Sequence, residues 1–280
     1  MSTEIVEIGK IYELEVLKEV DFGVYLDAKG LGEILLPKRY VPKGTAVGDN
    51  VEVFIYTDSE DRPIATTQEP YVIVDECACL KAVDVNHAGA FLDWGLQKDL
   101  FVPFSEQNGR MEVGKHYVIT AYVDTLTNRV AGSAKLDDIL CETSVYFKPK
   151  QEVDLLIYDF TDLGYKAVIN DTHMGLVYKN EVFQTLKYGQ RVKGYIKGIR
   201  DDKKIDLMLQ LPSADTRDDL MTKIVEHLKA NGGTSPLNDK AKPDDIYQTF
   251  KVSKANYKRA LGRLYKQKTI NIDKTAITLL

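Results

Sequence analysis

The sequence from residue 21 to residue 53 reads DFGVYLDAKGLGEILLPKRYVPKGTAVGDNVEV, and its pattern returns twice further along the chain. Its two landmarks are Gly23 and Gly48, which lie 25 residues apart. The same pair recurs, with the same separation, as Gly89 with Gly114 and as Gly164 with Gly189. A fixed internal spacing is the signature of a repeated structural unit. We therefore predict three copies of one fold.

A third landmark supports the repeat and indicates strands. Ile64, Val130 and Ile205 each follow the later glycine of their copy by 16 residues. Apolar and polar residues alternate along residues 10–16, as in a strand with one buried face. The early glycine lies within a strand pattern, where a bulge or sharp bend is its usual cause. Five short strands in about 65 residues, closed to avoid exposed edges, predict an OB-type barrel.

After residue 212 the apolar residues no longer alternate as in strands but recur at the spacing of a helix. Apolar residues between Leu220 and Leu228 recur at helical spacing, and Pro243 with two acids begins a second helix that runs to Phe250. Ser253 is placed to cap a third helix that extends to about Gln267. Two short apolar runs then predict a hairpin across residues 273–275. Three helices followed by a hairpin predict a winged helix-turn-helix.

These motifs carry a family resemblance. The Phe-Gly-x-aromatic sequence at Phe22–Tyr25 and the strand His173–Tyr178 resemble the RNA-binding repeat of ribosomal protein S-one. The chain as a whole resembles the conserved virulence factor B family of Gram-positive bacteria. We expect a mainly β multidomain protein with three five-stranded OB-type (S-one-like) barrels and an α+β winged helix-turn-helix domain. The expected domains are residues 1–70, 71–147 (with a linker), 148–212 and 213–280.

Charge is distributed unevenly along the chain. Residues 1–147 contain 13 Lys and Arg against 25 Asp and Glu, a net charge of −12. Residues 148–280 contain 24 against 17, a net charge of +7. Because phosphates are attracted to clustered cations, nucleic acid is expected to bind first in the C-terminal half. The first two barrels are expected to be weak RNA binders, spacers or protein-contact modules.

The resemblance also implies contact residues. OB-type barrels stack bases on aromatic side chains and hold the backbone with cations. The third helix has a basic face at the position that reads nucleic acid in helix-turn-helix proteins. The predicted RNA-binding residues are Phe22, Tyr25, Arg62, Phe91, Arg129, Lys166, Tyr178, Lys179, Arg191, Lys193, Arg200, Lys204, Lys254, Lys258, Arg259, Arg263 and Lys266. Core packing is the alternative for the aromatic residues, and a solvated surface is the alternative for the lysines.

Two details of the pattern add expectations about single residues. The family has an acid and, four residues later, a base before the fifth strand, which Asp58 and Arg62 match. In the third copy Arg200 and Lys204 lie one place late, so we expect that loop to lose its acid and gain positive charge. Gly262 lies near the middle of the basic helix, where close approach of a phosphate or another backbone is one reason to keep a glycine. Trp94 is expected to be buried.

Other features predict neither a cofactor nor catalysis. Cys77 and Cys79 are expected to be buried thiols on the same side of a strand, with metal binding as the alternative. The histidines show no metal-ligand spacing. No apolar run approaches the roughly 18 residues of a membrane span. The acidic N-terminus does not resemble a signal peptide, so a cytoplasmic location is expected.

Single-stranded RNA is the first predicted partner, in a non-catalytic regulator of gene expression of the post-transcriptional or virulence type. DNA is left open as a partner, and so are proteins for the first two barrels. The alternatives, in order, are a protein-docking scaffold near the translation machinery, a DNA-binding transcription regulator and an enzyme.

Overall fold

The structure is a computed structural model that describes residues 5–179, 182, 185–211, 215–250 and 252–280, apart from the side chains of residues 215–219. The junction predicted between the third barrel and the winged helix, residues 211–215, lies partly outside them. The chain divides into two compact units. The first unit extends to residue 141 and includes residues 168–174. The second contains residues 142–167 and 175–280.

Fifteen strands of the described chain close into three barrels of five strands each. Barrel 1 consists of β1 (Ile11–Val20), β2 (Gly23–Asp27), β3 (Glu33–Pro37), β4 (Asn50–Thr57) and β5 (Pro63–Thr66). Barrel 2 consists of β6 (Cys77–Val85), β7 (Gly89–Asp93), β8 (Leu100–Pro103), β9 (His116–Asp124) and β10 (Arg129–Ser133). Barrel 3 consists of β11 (Glu152–Phe160), β12 (Gly164–Ile169), β13 (His173–Tyr178), β14 (Arg191–Ile199) and β15 (Ile205–Met208). The prediction of three five-stranded barrels is confirmed.

The three barrels share one topology. In each, the first strand pairs with the second and the fourth, and the fifth lies between the third and the fourth. The third and fifth strands run parallel, with Leu35 beside Ile64 in barrel 1. Phe101 beside Ala131 is the corresponding pair in barrel 2. Identical strand order in all three copies is the structural counterpart of the repeated spacing in the sequence.

The early glycine of each repeat is required by close packing of backbones. Gly23, Gly89 and Gly164 each begin the second strand of their barrel. A side-chain carbon on any of them would overlap a backbone carbonyl oxygen of the third strand. The bulge expected at this glycine lies instead in the first strand, where the register shifts between Val16 and Lys18 in barrel 1. The glycine therefore permits close approach of the second and third strands, and the bulge belongs to the first strand.

Barrels 1 and 2 share a hydrophobic core within the first unit. Strand β4 alternates between buried and exposed residues at its start, but every residue from Val53 to Thr57 is buried. Phe54 and Tyr56 point out of barrel 1 and pack in the cluster that contains Trp94 of barrel 2. Trp94 is 3% exposed, as predicted, and its indole N–H donates to the carbonyl of Lys98. The two barrels are thus joined by core packing as well as by the chain.

The C-terminal domain has the predicted helices and hairpin. Its elements are α2 (Asp215–Ala230), β16 (Thr234–Ser235), α3 (Pro243–Phe250), α4 (Lys254–Lys266), β17 (Ile270–Ile272) and β18 (Ile277–Leu279). A short helix between barrels 2 and 3, α1 (Leu136–Ile139), precedes them in the chain. The Ser253 hydroxyl accepts from the amide of Asn256 at 2.9 Å, so the predicted cap is confirmed. Strand β16 was not predicted, and it adds a third strand to the hairpin by pairing with β18.

The core of this domain lies between its helices and the small sheet. Leu220 and Ile224 of α2 pack with Ile246 of α3, with Leu261 of α4 and with Ile277 of β18. Burial of these side chains fixes α4 by one face and leaves its other face toward solvent. Among the helices of the described chain, we find none with the length and apolar character needed to cross a membrane.

Candidate nucleic-acid interface

Barrel 1 carries an aromatic pair beside a cation. Phe22 is 57% exposed and lies edge-on to Tyr25, with the two ring centroids 6.4 Å apart. The ammonium of Lys18 lies 4.6 Å from the centre of the Tyr25 ring and also pairs with the carboxylate of Glu33. Rings and a neighbouring ammonium are the groups that stack bases and attract phosphate. Lys18 was missed by the sequence reasoning because it lies on β1, seven residues before the aromatic residue that it contacts.

The predicted cation of barrel 1 is held by acids of its own loop. Arg62 donates from Nη2 to Asp58 Oδ2 at 2.7 Å and from Nε to the same oxygen at 2.9 Å. Glu60 lies 2.9 Å from a second guanidinium nitrogen. Burial by itself would raise the pKa of Asp58, but the hydrogen bonds from Arg62 and from the backbone of Glu60 bring that pKa below its usual value. Arg62 is therefore exposed but already partly neutralised.

Barrel 2 carries a groove with an aromatic floor. Phe91 and Phe101 lie opposite each other on β7 and β8, with ring centroids 5.2 Å apart. They line a groove of about 940 Å³ whose wall includes Tyr56 and Thr57 of barrel 1. Phe91 was predicted from its place in the repeat. Phe101 was missed because the related position in barrel 1 is Leu35, which carries no aromatic signal.

The cations beside this groove donate hydrogen bonds to oxygen atoms of barrel 1. Arg129 donates from Nε to the carboxylate of Asp61, and Lys98 Nζ donates to the carbonyl of Asp58 at 3.1 Å. The hydrogen bond from Arg129 lowers the pKa of Asp61. Partial burial lowers the pKa of Lys98, and repulsion from Arg129 lowers it further. The predicted RNA contact Arg129 thus has a structural role between the two barrels.

Barrel 3 places the predicted RNA contact Tyr178 next to a lysine. Tyr178 is half-buried at the end of β13, and the ammonium of Lys197 lies 5.5 Å from the centre of its ring. The ammonium of Lys166 on β12 likewise lies 5.7 Å from the centre of the Tyr158 ring. Lys179 and Arg191 are exposed. These side chains combine an aromatic surface with positive charge.

Two of the cations in and beside the loop before β15 are paired, so the expected gain of positive charge is smaller than the sequence indicates. Arg200 lies 3.5 Å from Asp202 and 3.2 Å from Asp206, because the acids follow the arginine here instead of preceding it. Lys204 pairs with Glu142 at 2.9 Å. The predicted contact Lys193 pairs in turn with Asp154 of the neighbouring strand at 2.8 Å. Barrel 3 therefore presents less unpaired positive charge than its composition indicates.

One further aromatic pair on barrel 3 was missed. Phe160 is 49% exposed and lies edge-on to Tyr165, with ring centroids 5.3 Å apart. Phe160 lies four residues before the repeat glycine, where barrels 1 and 2 have Glu19 and Val85. A comparison of the three copies at that position would have singled it out.

Helix α4 has the expected two faces. Tyr257, Ala260, Leu261 and Leu264 are buried. The exposed cations of the opposite face are Lys258, Arg259, Arg263 and Lys266, and Lys254 at the start of the helix is half-buried. The nearest carboxylate that we find for Lys258 among the described residues is Asp239, 3.9 Å away. A side-chain carbon on Gly262 would meet nothing within 4 Å.

A buried tyrosine orients this helix. Tyr257 donates from its hydroxyl to the carbonyl of Leu237 at 2.7 Å, and its ring stacks on Phe250 with centroids 5.1 Å apart. Burial raises the pKa of Tyr257 well above the usual tyrosine value. Since the hydroxyl is satisfied inside the domain, the buried face is fixed and the basic face points outward.

No group of three or more metal-ligating side chains occurs in the part of the chain that the structure describes. Cys77 is buried, Cys79 is half-buried and Cys141 is exposed. Burial raises the pKa of the Cys79 thiol, which reduces its reactivity.

Two family models match the chain. The model described as S1 domain matches residues 8–68, the region of barrel 1. The model described as CvfB-like winged helix domain matches residues 222–279. Both describe nucleic-acid-binding domains and neither describes a catalytic domain. OB-type barrels followed by a winged helix thus define a nucleic-acid-binding protein.

Similar proteins extend the match over most of the chain. Uncharacterized protein YitL of Bacillus subtilis (strain 168) is 30% identical over 92% of this chain and 89% of its own length. Conserved virulence factor B of Staphylococcus aureus (strain N315) is 28% identical over 83% of this chain and 80% of its own length. The chain belongs to the conserved virulence factor B family, as the sequence motifs predicted.

A solved structure is also similar. It is a crystal structure of a multidomain protein with nucleic acid binding domains from Streptococcus pneumoniae TIGR4, which is 24% identical. The alignment covers 98% of each chain, with a TM-score of 0.43.

Proposed function

We propose that this protein is a non-catalytic regulator of gene expression that binds single-stranded RNA through barrel 3 and the basic face of α4. Barrels 1 and 2 contribute less affinity and act mainly as spacers or protein-contact modules. The resemblance of the barrels to the RNA-binding repeat of ribosomal protein S-one favours RNA over DNA. Stacking of unpaired bases on aromatic side chains favours single strands over duplexes.

The observation that carries the proposal is the pattern of side chains on α4. Its exposed cations include Arg259, Arg263 and Lys266, and no ion pair holds these three within the described residues. A protein surface of unpaired cations binds phosphates and releases counterions. The open space around Gly262 supports the same interpretation, because a nucleic-acid backbone can approach the helix closely there.

Barrel 3 supplies the stacking surface in this account. The ammonium of Lys197 lies over the Tyr178 ring, and a base can stack on the ring while the cation attracts its phosphate. Exposed Lys179 follows directly in the chain. Base stacking on an aromatic side chain contributes about 1–3 kcal/mol and tolerates any sequence.

Barrels 1 and 2 are assigned a smaller part because their cations are engaged and their surface is acidic. Arg62 and Arg129 are both bound by carboxylates. On the outer surface of barrel 1, exposed Glu13 lies directly opposite exposed Glu52 across β1 and β4. Like charges that face each other destabilise a sheet and repel phosphate. This pair favours, as a second candidate function, a scaffold that docks a basic protein.

One comparison tests the proposal. Filter binding of the intact chain to single-stranded RNA, duplex RNA, single-stranded DNA and duplex DNA should be measured at two salt concentrations. Single-stranded RNA should bind most tightly, and its binding should weaken steeply with salt. Preference for duplex DNA would instead support a DNA-binding regulator, and weak binding to all four would support the scaffold.

A further inference from the structure

The segment between barrels 2 and 3 presents a tyrosine to solvent. Tyr146 is 85% exposed, more than any other tyrosine in the described chain, and its neighbour Val145 is 67% exposed. Single exposed apolar side chains are common on protein surfaces and need no explanation. Two adjacent exposed apolar side chains, on a segment whose ends are both bonded to a barrel, indicate a binding surface more strongly. We call residues 142–151 the linker loop.

The first end of the linker loop is fixed to barrel 3. Thr143 forms an antiparallel bridge with Lys204, and the amide of Ser144 donates to the carbonyl of Lys203 at 3.2 Å. Glu142 pairs with the Lys204 ammonium at 2.9 Å. These contacts place the loop beside the β14–β15 turn, which contains the predicted RNA contacts Arg200 and Lys204.

The second end of the linker loop is fixed to the same barrel. The amide of Lys150 donates to the carbonyl of Ile196 at 2.7 Å, and the amide of Ile196 donates to the carbonyl of Gln151 at 2.9 Å. Between the two ends, the amide of Tyr146 donates to the hydroxyl of buried Ser144 at 3.1 Å. Hydrogen bonds to barrel 3 therefore hold the chain on both sides of Tyr146, and such fixed ends reduce the entropy cost of binding.

Exposed cations lie on the linker loop itself and on the turn to which it is bonded. Lys148 and Lys150 of the linker loop and Lys203 of the β14–β15 turn are exposed. For these three ammonium groups we find no ion pair within the described residues. Alternation of an aromatic ring with unpaired lysines is the composition of a surface that binds single strands.

We propose that Tyr146 is a stacking platform for a base of the same single-stranded RNA that barrel 3 binds, and that the linker loop extends the binding surface beyond the barrel. The inference rests on the proposed RNA-binding function. Charge complementarity and direct continuity with the β14–β15 turn favour a nucleic-acid strand over a protein as the occupant. Barrel 1 and barrel 2 are joined by residues 67–76, which contain the comparable Tyr71 but are acidic, with Glu69, Asp75 and Glu76 and no lysine or arginine.

The test uses the intact chain and a labelled 20-nucleotide oligouridylate, with binding followed by fluorescence anisotropy at several salt concentrations. Tyr146→Ala should weaken binding at least about five-fold, the lower limit for removal of one stacked base. The salt dependence should not change, because the substitution removes no positive charge. Tyr146→Phe should bind as the unsubstituted chain does, since the ring is kept.

Tyr71→Ala is the matched control, because Tyr71 is 66% exposed on the acidic linker. It should leave RNA affinity unchanged. If Tyr146→Ala binds as tightly as the unsubstituted chain, the platform is disproved while the proposed function stands. If the unsubstituted chain does not bind the oligonucleotide at all, the proposed function fails and the platform fails with it. Equal reductions in affinity for Tyr146→Ala and Tyr71→Ala would also overturn the platform.

Discussion

Trp94 of barrel 2 lies edge-on to Phe54 of barrel 1, with ring centroids 5.6 Å apart and an angle of 85° between the ring planes. Both side chains are almost fully buried. Edge-to-face pairs stabilise a fold beyond the area that they bury. Two repeats that look independent in the sequence thus share one packed core.

Replacement of Phe54 should weaken both barrels together. We expect Phe54→Ala to reduce the free energy of unfolding by about 3–5 kcal/mol, because it removes a buried ring and leaves a cavity. Trp94 is the single tryptophan, so its emission in a urea titration reports the junction directly. Phe22→Ala, which removes an exposed ring, is the control and should leave the transition almost unchanged. A junction that stays intact in Phe54→Ala would contradict the shared core.

The two kinds of glycine should respond in opposite ways to alanine. Gly164→Ala should destabilise the protein by about 2–3 kcal/mol, because its methyl group would overlap the carbonyl oxygen of Val177. Gly262→Ala should stabilise it by up to about 1 kcal/mol, since the methyl group enters open space on a helix. Thermal unfolding measures both. If nucleic acid approaches α4 at Gly262, the stabilised variant should nevertheless bind RNA more weakly.

The ion pair between Asp61 and Arg129 should make the junction sensitive to acid. The pKa of Asp61 is lower in the folded protein than in the unfolded chain, where the ordinary aspartate value applies. Its contribution is therefore present above that ordinary value and is lost as the pH falls through the lowered one. Asp61→Asn should be less stable than the unsubstituted protein at neutral pH, and the difference should vanish in acid. A difference that is constant with pH would exclude this contribution.

Removal of the Tyr178 ring should affect binding more than folding. Tyr178→Ala should weaken binding of single-stranded RNA by about 1–3 kcal/mol with little change in melting temperature, if the ring stacks on a base. Tyr178→Phe should retain the affinity. A large fall in melting temperature with unchanged affinity would show instead that the half-buried ring serves the core.

The sequence predicted those parts of the fold that depend on local pattern. Ser253 caps its helix through a hydrogen bond to a residue three places away, so the sequence suffices to predict it. The repeat glycines revealed the barrels because close approach of two backbones excludes every other residue. The sequence did not reveal why a glycine is required there. A side-chain carbon would overlap a carbonyl oxygen of the third strand, which lies 13 residues further along the chain.

The rest depends on contacts between distant segments. Phe54 and Tyr56 follow the ordinary strand alternation, and nothing in their pattern indicates that barrel 2 covers them. The pairing of Arg129 with Asp61 joins residues 68 positions apart. Composition overestimated the free charge of barrel 3 for the same reason, because Lys193 and Lys204 meet their carboxylates only after folding. The residue-level RNA contacts and the bounds of the four domains stay predictions.

The most direct measurement of the central claim is the salt dependence of single-stranded RNA binding by the intact chain and by the triple variant Lys258→Glu, Arg259→Glu, Arg263→Glu. These residues are exposed on α4 and make no core contact, so the variant should fold normally. We predict weaker binding, with a slope of log affinity against log salt that is flatter by about 0.7 for each phosphate that the variant no longer neutralises. Long RNA should be affected more than an oligonucleotide that fills only barrel 3, because a tethered second site raises apparent affinity. An unchanged affinity and slope for both lengths would contradict the assignment of the basic helix to RNA.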